Sequence, residues 1–68
     1  MNIFGKRLKE LRIEANLSRE KLANALSVSV RQISYWETGQ RQCDFNMLIK
    51  IADFFSVSID YLLGRTDF

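Results

Sequence analysis

No histidine and no proline occur in the 68 residues, cysteine occurs once, at Cys43, and glycine only three times. Each scarcity excludes something. A single cysteine cannot close an internal disulfide, and without histidine a Cys/His zinc site has almost no ligands to draw on, so no metal or other cofactor is expected. General acid–base and nucleophilic catalysis usually need a histidine, a base-activated serine or cysteine, or paired carboxylates in a pocket. A core this small leaves little room for such a pocket, and an enzyme is not expected. No apolar run approaches the ~20 residues of a membrane-spanning helix, and no basic start leads into a hydrophobic signal segment. The expected compartment is the cytosol, with no membrane partner and no evident small-molecule ligand.

What is present reads as one small globular domain. A chain of this length hides only about 60% of its unfolded surface, enough for a single modest core. Hydrophobic residues make up 47% and charged residues 26%, far from the disordered profile of few aliphatics and high net charge. The net charge of +2 conceals a split. Residues 1–42 carry eight basic side chains against four acidic ones, whereas residues 43–68 carry two basic against four acidic. One end of the domain is expected to attract polyanions and the other not; on charge alone, ordinary solvated surface is the alternative.

Apolar residues recur at three- and four-residue spacing, which predicts helices instead of strands. Phe4, Leu8, Leu11 and Ala15 form the stripe of a first helix, from about Ile3 to Ala15, that stops near Asn16. Ser18 caps a second, about Arg19 to Leu26, with Leu22, Ala23 and Leu26 facing inward. Ser29 and Gln32 form an S-x-x-Q capping box that opens a third helix, which reaches about Glu37 and exits at Gly39. Asp44 caps a fourth helix whose inward face carries Phe45, Leu48, Ile51, Ala52 and Phe55. Ser58 caps a short fifth with Ile59, Leu62 and Leu63, ending at Gly64. The domain is expected to span residues 1–64, and residues 65–68 read as a tail. The stretches LSVSVRQI (26–33) and FSVSIDYL (55–62) share one form, in which the valine plugs the core and the second serine caps the next helix.

The third helix divides sharply. With residues at about 100° intervals and Val30 at zero, Ser34 falls near 40°, Arg31 near 100° and Tyr35 near 140°, while Trp36 falls near 240°, Ile33 near 300° and Glu37 near 340°. Ile33 and Trp36 define a core side. Val30, Arg31, Ser34 and Tyr35 define an outward side, with Gln32 at its edge. Arginine matches the two acceptors of guanine and glutamine matches adenine, and both also bind backbone oxygens. Only Ser27 and Val28 separate the second helix from the cap of the third, and so short a link forces a steep crossing that leaves the third helix protruding.

The run LSREKLANALSVSVRQISYWETGQRQ, with LKELR before it and MLIKIADFFSVSIDYLLG after it, resembles the phage-repressor and Cro-type (XRE-like) helix-turn-helix family. The likeness covers roughly Phe4 to Gly64 and includes Leu22-Ala23, the I-x-x-W-E-x-G run from Ile33 to Gly39, and the terminal Y-L-L-G. It implies an all-α, five-helix, lambda-repressor-like domain, bacterial or phage-encoded, that regulates transcription. A repressor bound as a dimer to a pseudo-palindromic operator is the reading it favours. A protein-binding module on the same scaffold, an antitoxin or anti-repressor partner with secondary DNA contact, is the alternative.

Residue by residue, the resemblance implies that Arg31, Ser34 and Tyr35 read bases in the major groove, with Val30 against a thymine methyl. Ser29 and Gln32 would touch a flanking base or the backbone. Arg19 stands where many relatives have a phosphate-binding glutamine, and Gln40, Arg41 and Gln42 match a second backbone clamp, which Asp44 would oppose. Arg12 and Glu37 occupy the positions of a partly buried ion pair. Tyr61, Leu63 and Phe68 are candidates for a dimer surface. Ser27 and Ser56 replace turn glycines of the family, at a cost on the order of 1 kcal/mol each if their backbones are left-handed.

Overall fold

A computed structural model describes residues 3–67. Among them are five helices and no strand: α1 (Ile3–Glu14), α2 (Arg19–Leu26), α3 (Val30–Thr38), α4 (Phe45–Phe55) and α5 (Ile59–Leu62). The all-α, five-helix expectation is met. Leu8, Leu22, Leu26, Ile33, Ile51 and Leu62 are fully enclosed, one or two from every helix. α3 packs against both α1 and α2, and α5 against α1 and α4.

The joints repeat one device three times. Asn16, Ser27 and Ser56 each adopt left-handed backbone, with φ of 58°, 59° and 56°. In each case the next residue, Leu17, Val28 or Val57, donates its amide back to the helix just ended, at 2.9–3.0 Å, and packs its side chain against the core. The serine after that caps the following helix: Ser18 Oγ accepts from the Lys21 amide, Ser29 Oγ from Gln32 and Ser58 Oγ from Tyr61. The echo between 26–33 and 55–62 is thus a shared turn, and the α1–α2 joint is a third copy that asparagine and leucine disguise. A left-handed residue thus ends each helix and satisfies its last carbonyls while the chain turns toward the next cap within two positions. Gly64 is also left-handed, at φ 79°, and a Cβ there would meet Ile3 Cγ2 at 2.5 Å.

Two expectations about the core need correction. α1 ends at Glu14, and Ala15 is exposed in the turn instead of completing the buried stripe. Phe45 is 84% exposed, although its spacing matched the inward face of α4. It is the first residue of that helix, and burial along the stripe begins only with Met47 and Leu48. In the one-turn α5, Leu62 is the buried residue, while Ile59 and Leu63 are 36% and 47% exposed.

Arg7 ties the C-terminal segment to α1. Its Nη1 donates to the Tyr61 and Thr66 carbonyls at 2.9 and 2.7 Å, its Nη2 reaches Asp67, and its guanidinium lies 4.2 Å from the Tyr61 ring centroid. Lys50 similarly closes the end of α2, its Nζ donating to the Leu26 carbonyl at 2.9 Å.

Candidate nucleic-acid interface

The start of α3 is fixed by a complete capping box. Ser29 Oγ accepts from the Gln32 amide and Gln32 Oε1 accepts from the Ser29 amide, both at 3.1 Å. Ile33, Trp36 and Glu37 are buried, which turns the opposite side of the helix outward. Arg31 and Gln32 are exposed and Val30 is 40% exposed, while Ser34 and Tyr35 are half-buried. The orientation expected from the helical period is the one observed. Arg31 makes no hydrogen bond or ion pair among the described residues, whereas the Gln32 carboxamide oxygen is already committed to the cap.

Gln40, Arg41 and Gln42 are all exposed beside the exit of α3. The Arg41 amide donates to the Tyr35 carbonyl at 3.2 Å, and its guanidinium stands 5.2 Å from the Tyr35 ring centroid. That contact folds the basic loop against α3 and explains why Tyr35 is only half exposed. Between them and the start of α4 lies a cleft of about 380 Å³ whose walls include Tyr35, Arg41, Gln42 and Asp44. Asp44 Oδ1 accepts from the Met47 amide at 2.8 Å, capping α4.

Glu37 explains how an acid can occupy the core side. Its side chain is 1% exposed, and burial of a lone carboxylate would be prohibitive. Arg12 meets it through two nitrogens, Nε to Oε2 at 2.6 Å and Nη2 to Oε1 at 3.3 Å, and donates Nη1 to the Leu17 carbonyl at 3.0 Å. The ion pair between the first and third helices is therefore present. A second guanidinium joins it: Arg19 Nε donates to Glu37 Oε1 at 3.1 Å, with its side chain 42% exposed. Sequence reasoning assigned Arg19 to phosphate alone. The missed signal was one core-side acid faced by arginines on both helices that pack against α3.

Cys43 is half-buried. Burial pushes its thiol above the ordinary range, a backbone hydrogen bond opposes the rise, and the neighbouring Asp44 carboxylate adds to it. A raised value means less thiolate at any pH below it. Iodoacetamide at pH 7.5 should therefore modify the folded protein roughly threefold or more slowly than the urea-unfolded chain, with the rate midpoint at higher pH. Equal rates would contradict the enclosure of this thiol.

Of the anticipated dimer residues, Leu63 is exposed, Tyr61 is half-buried beneath Arg7, and Phe68 lies outside the described residues. Leu63 and the exposed Phe45 border an apolar groove of about 170 Å³ floored by Phe4 and Leu48. The spacing rule that sent Phe45 inward hid its place in this patch.

This geometry has close relatives. The transcriptional regulator ImmR of Bacillus subtilis is 36% identical over 64 residues, 94% of this chain and 50% of its own length. The transcriptional activator BcrR of Enterococcus faecalis is 45% identical over 61 residues, 90% of this chain and 30% of its own. The chain thus spans half or less of both curated relatives. The P22 c2 repressor, solved in complex with a synthetic operator, superposes with a TM-score of 0.86 at 25% identity, covering 93% of this chain and 96% of that one. Residues 8–62 match the helix-turn-helix family, and with the left-handed joint at Ser27 and the outward face of α3 they establish that this chain belongs to the phage-repressor and Cro-type helix-turn-helix transcriptional regulators.

Proposed function

We propose that the chain binds double-stranded DNA sequence-specifically and regulates transcription, as a repressor that occupies a pseudo-palindromic operator as a homodimer in the bacterial cytoplasm. The carrying observation is the exposed polar side of α3, held outward by the burial of Ile33 and Trp36. Arg31, Ser34 and Tyr35 read base edges, with Val30 against a thymine methyl, because the major groove admits one helix and presents paired acceptors at guanine. Ser29 and Gln32 contact a flanking base or the backbone, the latter through its amide nitrogen while its oxygen holds the cap. Arg19, Gln40, Arg41 and Gln42 bind phosphates and fix the register. The P22 c2 repressor's operator complex supports this reading.

Two copies satisfy the geometry of DNA. Half-sites one helical turn apart place the reading helices about 34 Å from each other. The domain measures 28 × 23 × 21 Å, so two domains side by side span that distance. Phe45 and Leu63 supply the apolar contact, and Phe45→Ala should weaken self-association about tenfold, the loss of roughly 1.5 kcal/mol of burial. Sedimentation over a concentration series measures it. An unchanged dimerisation constant would remove Phe45 from the interface.

Selection from a random duplex library at a stated salt concentration tests the function. Enrichment of a palindromic consensus supports a dimeric regulator. Failure to enrich any sequence overturns it in favour of a protein-binding role.

A further inference from the structure

The Glu37 carboxylate holds more positive charge than it needs. Arg12, 11% exposed and doubly bonded, already neutralises it, yet Arg19 on α2 adds a third short bond from a side chain that is 42% exposed. The cluster of two guanidiniums and one carboxylate carries a net +1, and the more exposed member is Arg19. Guanidinium is a planar fork with five donors. Engaging Nε commits one of them and fixes the plane, leaving both terminal nitrogens to meet two oxygens of a phosphate together.

We propose that Glu37 is a positioning residue for Arg19, keeping it as a preformed phosphate clamp at the start of α2, and that Arg12 compensates the charge this requires. The proposal rests on the DNA-binding reading above. The ion pair between α1 and α3 then acts twice, because one buried carboxylate sets the orientation of both the reading helix and a backbone clamp. Preorganisation lowers the ordering cost that a long, mobile arginine otherwise bears on binding. Lysine at position 19 would carry the charge without the fork.

The test is a cycle of wild type, Arg19→Lys, Glu37→Gln and the double variant, titrated with selected operator and with random duplex at four salt concentrations. Arg19→Lys should weaken both duplexes alike, by roughly fivefold, with an unchanged slope of log affinity on log salt, because the charge is kept. In the Glu37→Gln background the same substitution should cost less than about twofold, since the charge that holds the side chain at position 19 is gone and the neutral amide oxygen binds it more weakly. Equal costs in both backgrounds, a loss confined to the operator, or wild-type affinity for Arg19→Lys would each overturn the proposal. Should Glu37→Gln not fold, the Nε proton of Arg19 in the wild type decides it by exchange NMR. Protection in both free and duplex-bound protein supports the clamp; protection lost on binding overturns it, because DNA would then be pulling Arg19 away from Glu37. Absence of any duplex binding by a folded wild type is the distinct failure of the parent reading and removes this proposal too.

Discussion

Arg12→Ala is expected to destabilise the domain by about 3 kcal/mol, the lower end of the cost of breaking a buried ion pair. The substitution deletes both bonds to Glu37 and the one to the Leu17 carbonyl, leaving a carboxylate that is 1% exposed. Arg19 still reaches it, but from a half-solvated position where screening weakens the attraction. A domain of this size has a total stability of roughly 3–10 kcal/mol, so the loss takes a large share of it and, at the lower end of that range, leaves the variant partly unfolded at room temperature. Urea titration at constant m measures the shift. Pairing Arg12→Met with Glu37→Leu should recover most of the loss, because replacing both ions by apolar groups removes the desolvation penalty along with the attraction. A loss below about 1 kcal/mol for the single variant would mean that Arg19 or water compensates Glu37 once Arg12 is gone.

Arg31→Ala should leave stability within about 0.5 kcal/mol of wild type, since the side chain is exposed and makes no hydrogen bond or ion pair among the described residues. Its effect belongs to binding. Operator affinity should fall by about 2 kcal/mol, roughly thirtyfold, and discrimination should relax at one base pair per half-site. Random duplex should lose far less. Arg19→Ala makes the opposite pattern: both duplexes weaken together and the salt slope falls by about one unit. Titrating each variant against a set of single-base operator changes separates the two. If Arg31→Ala weakens every sequence equally, Arg31 is a phosphate ligand and the reading of α3 must be reassigned.

Much of the fold was legible because its determinants are local. A serine followed three residues later by a free amide makes a cap wherever it occurs, and Ser18, Ser29 and Ser58 all do so as expected. Asn16 is of a residue type that tolerates left-handed backbone, and for Ser27 and Ser56 only the family resemblance points to it; all three adopt it. The two sides of α3 follow from the period alone, which is why burial of Trp36 and exposure of Arg31 could be anticipated.

Where local rules failed, the deciding contact came from a remote part of the chain. Phe45 and Leu48 share a helical stripe, but only Leu48 has other helices packed over it; the period gives an angle about an axis and says nothing of where a neighbour ends. Arg7 read as one basic residue among many until the chain's far end came round to meet it, over a separation of 59 residues at Thr66. Arg19 and Glu37 stand on successive helices, 18 residues apart, and their bond depends on how α2 and α3 pack together.

The sequence by itself determined the helices, their caps and the outward turn of α3, since each depends on groups within a few residues of one another. The tertiary structure alone decided that one buried carboxylate serves two arginines, that Phe45 faces solvent and that Arg7 fastens the C-terminal segment. Those outcomes depend on distances between helices, which are set when all five pack at once and are written in no single segment.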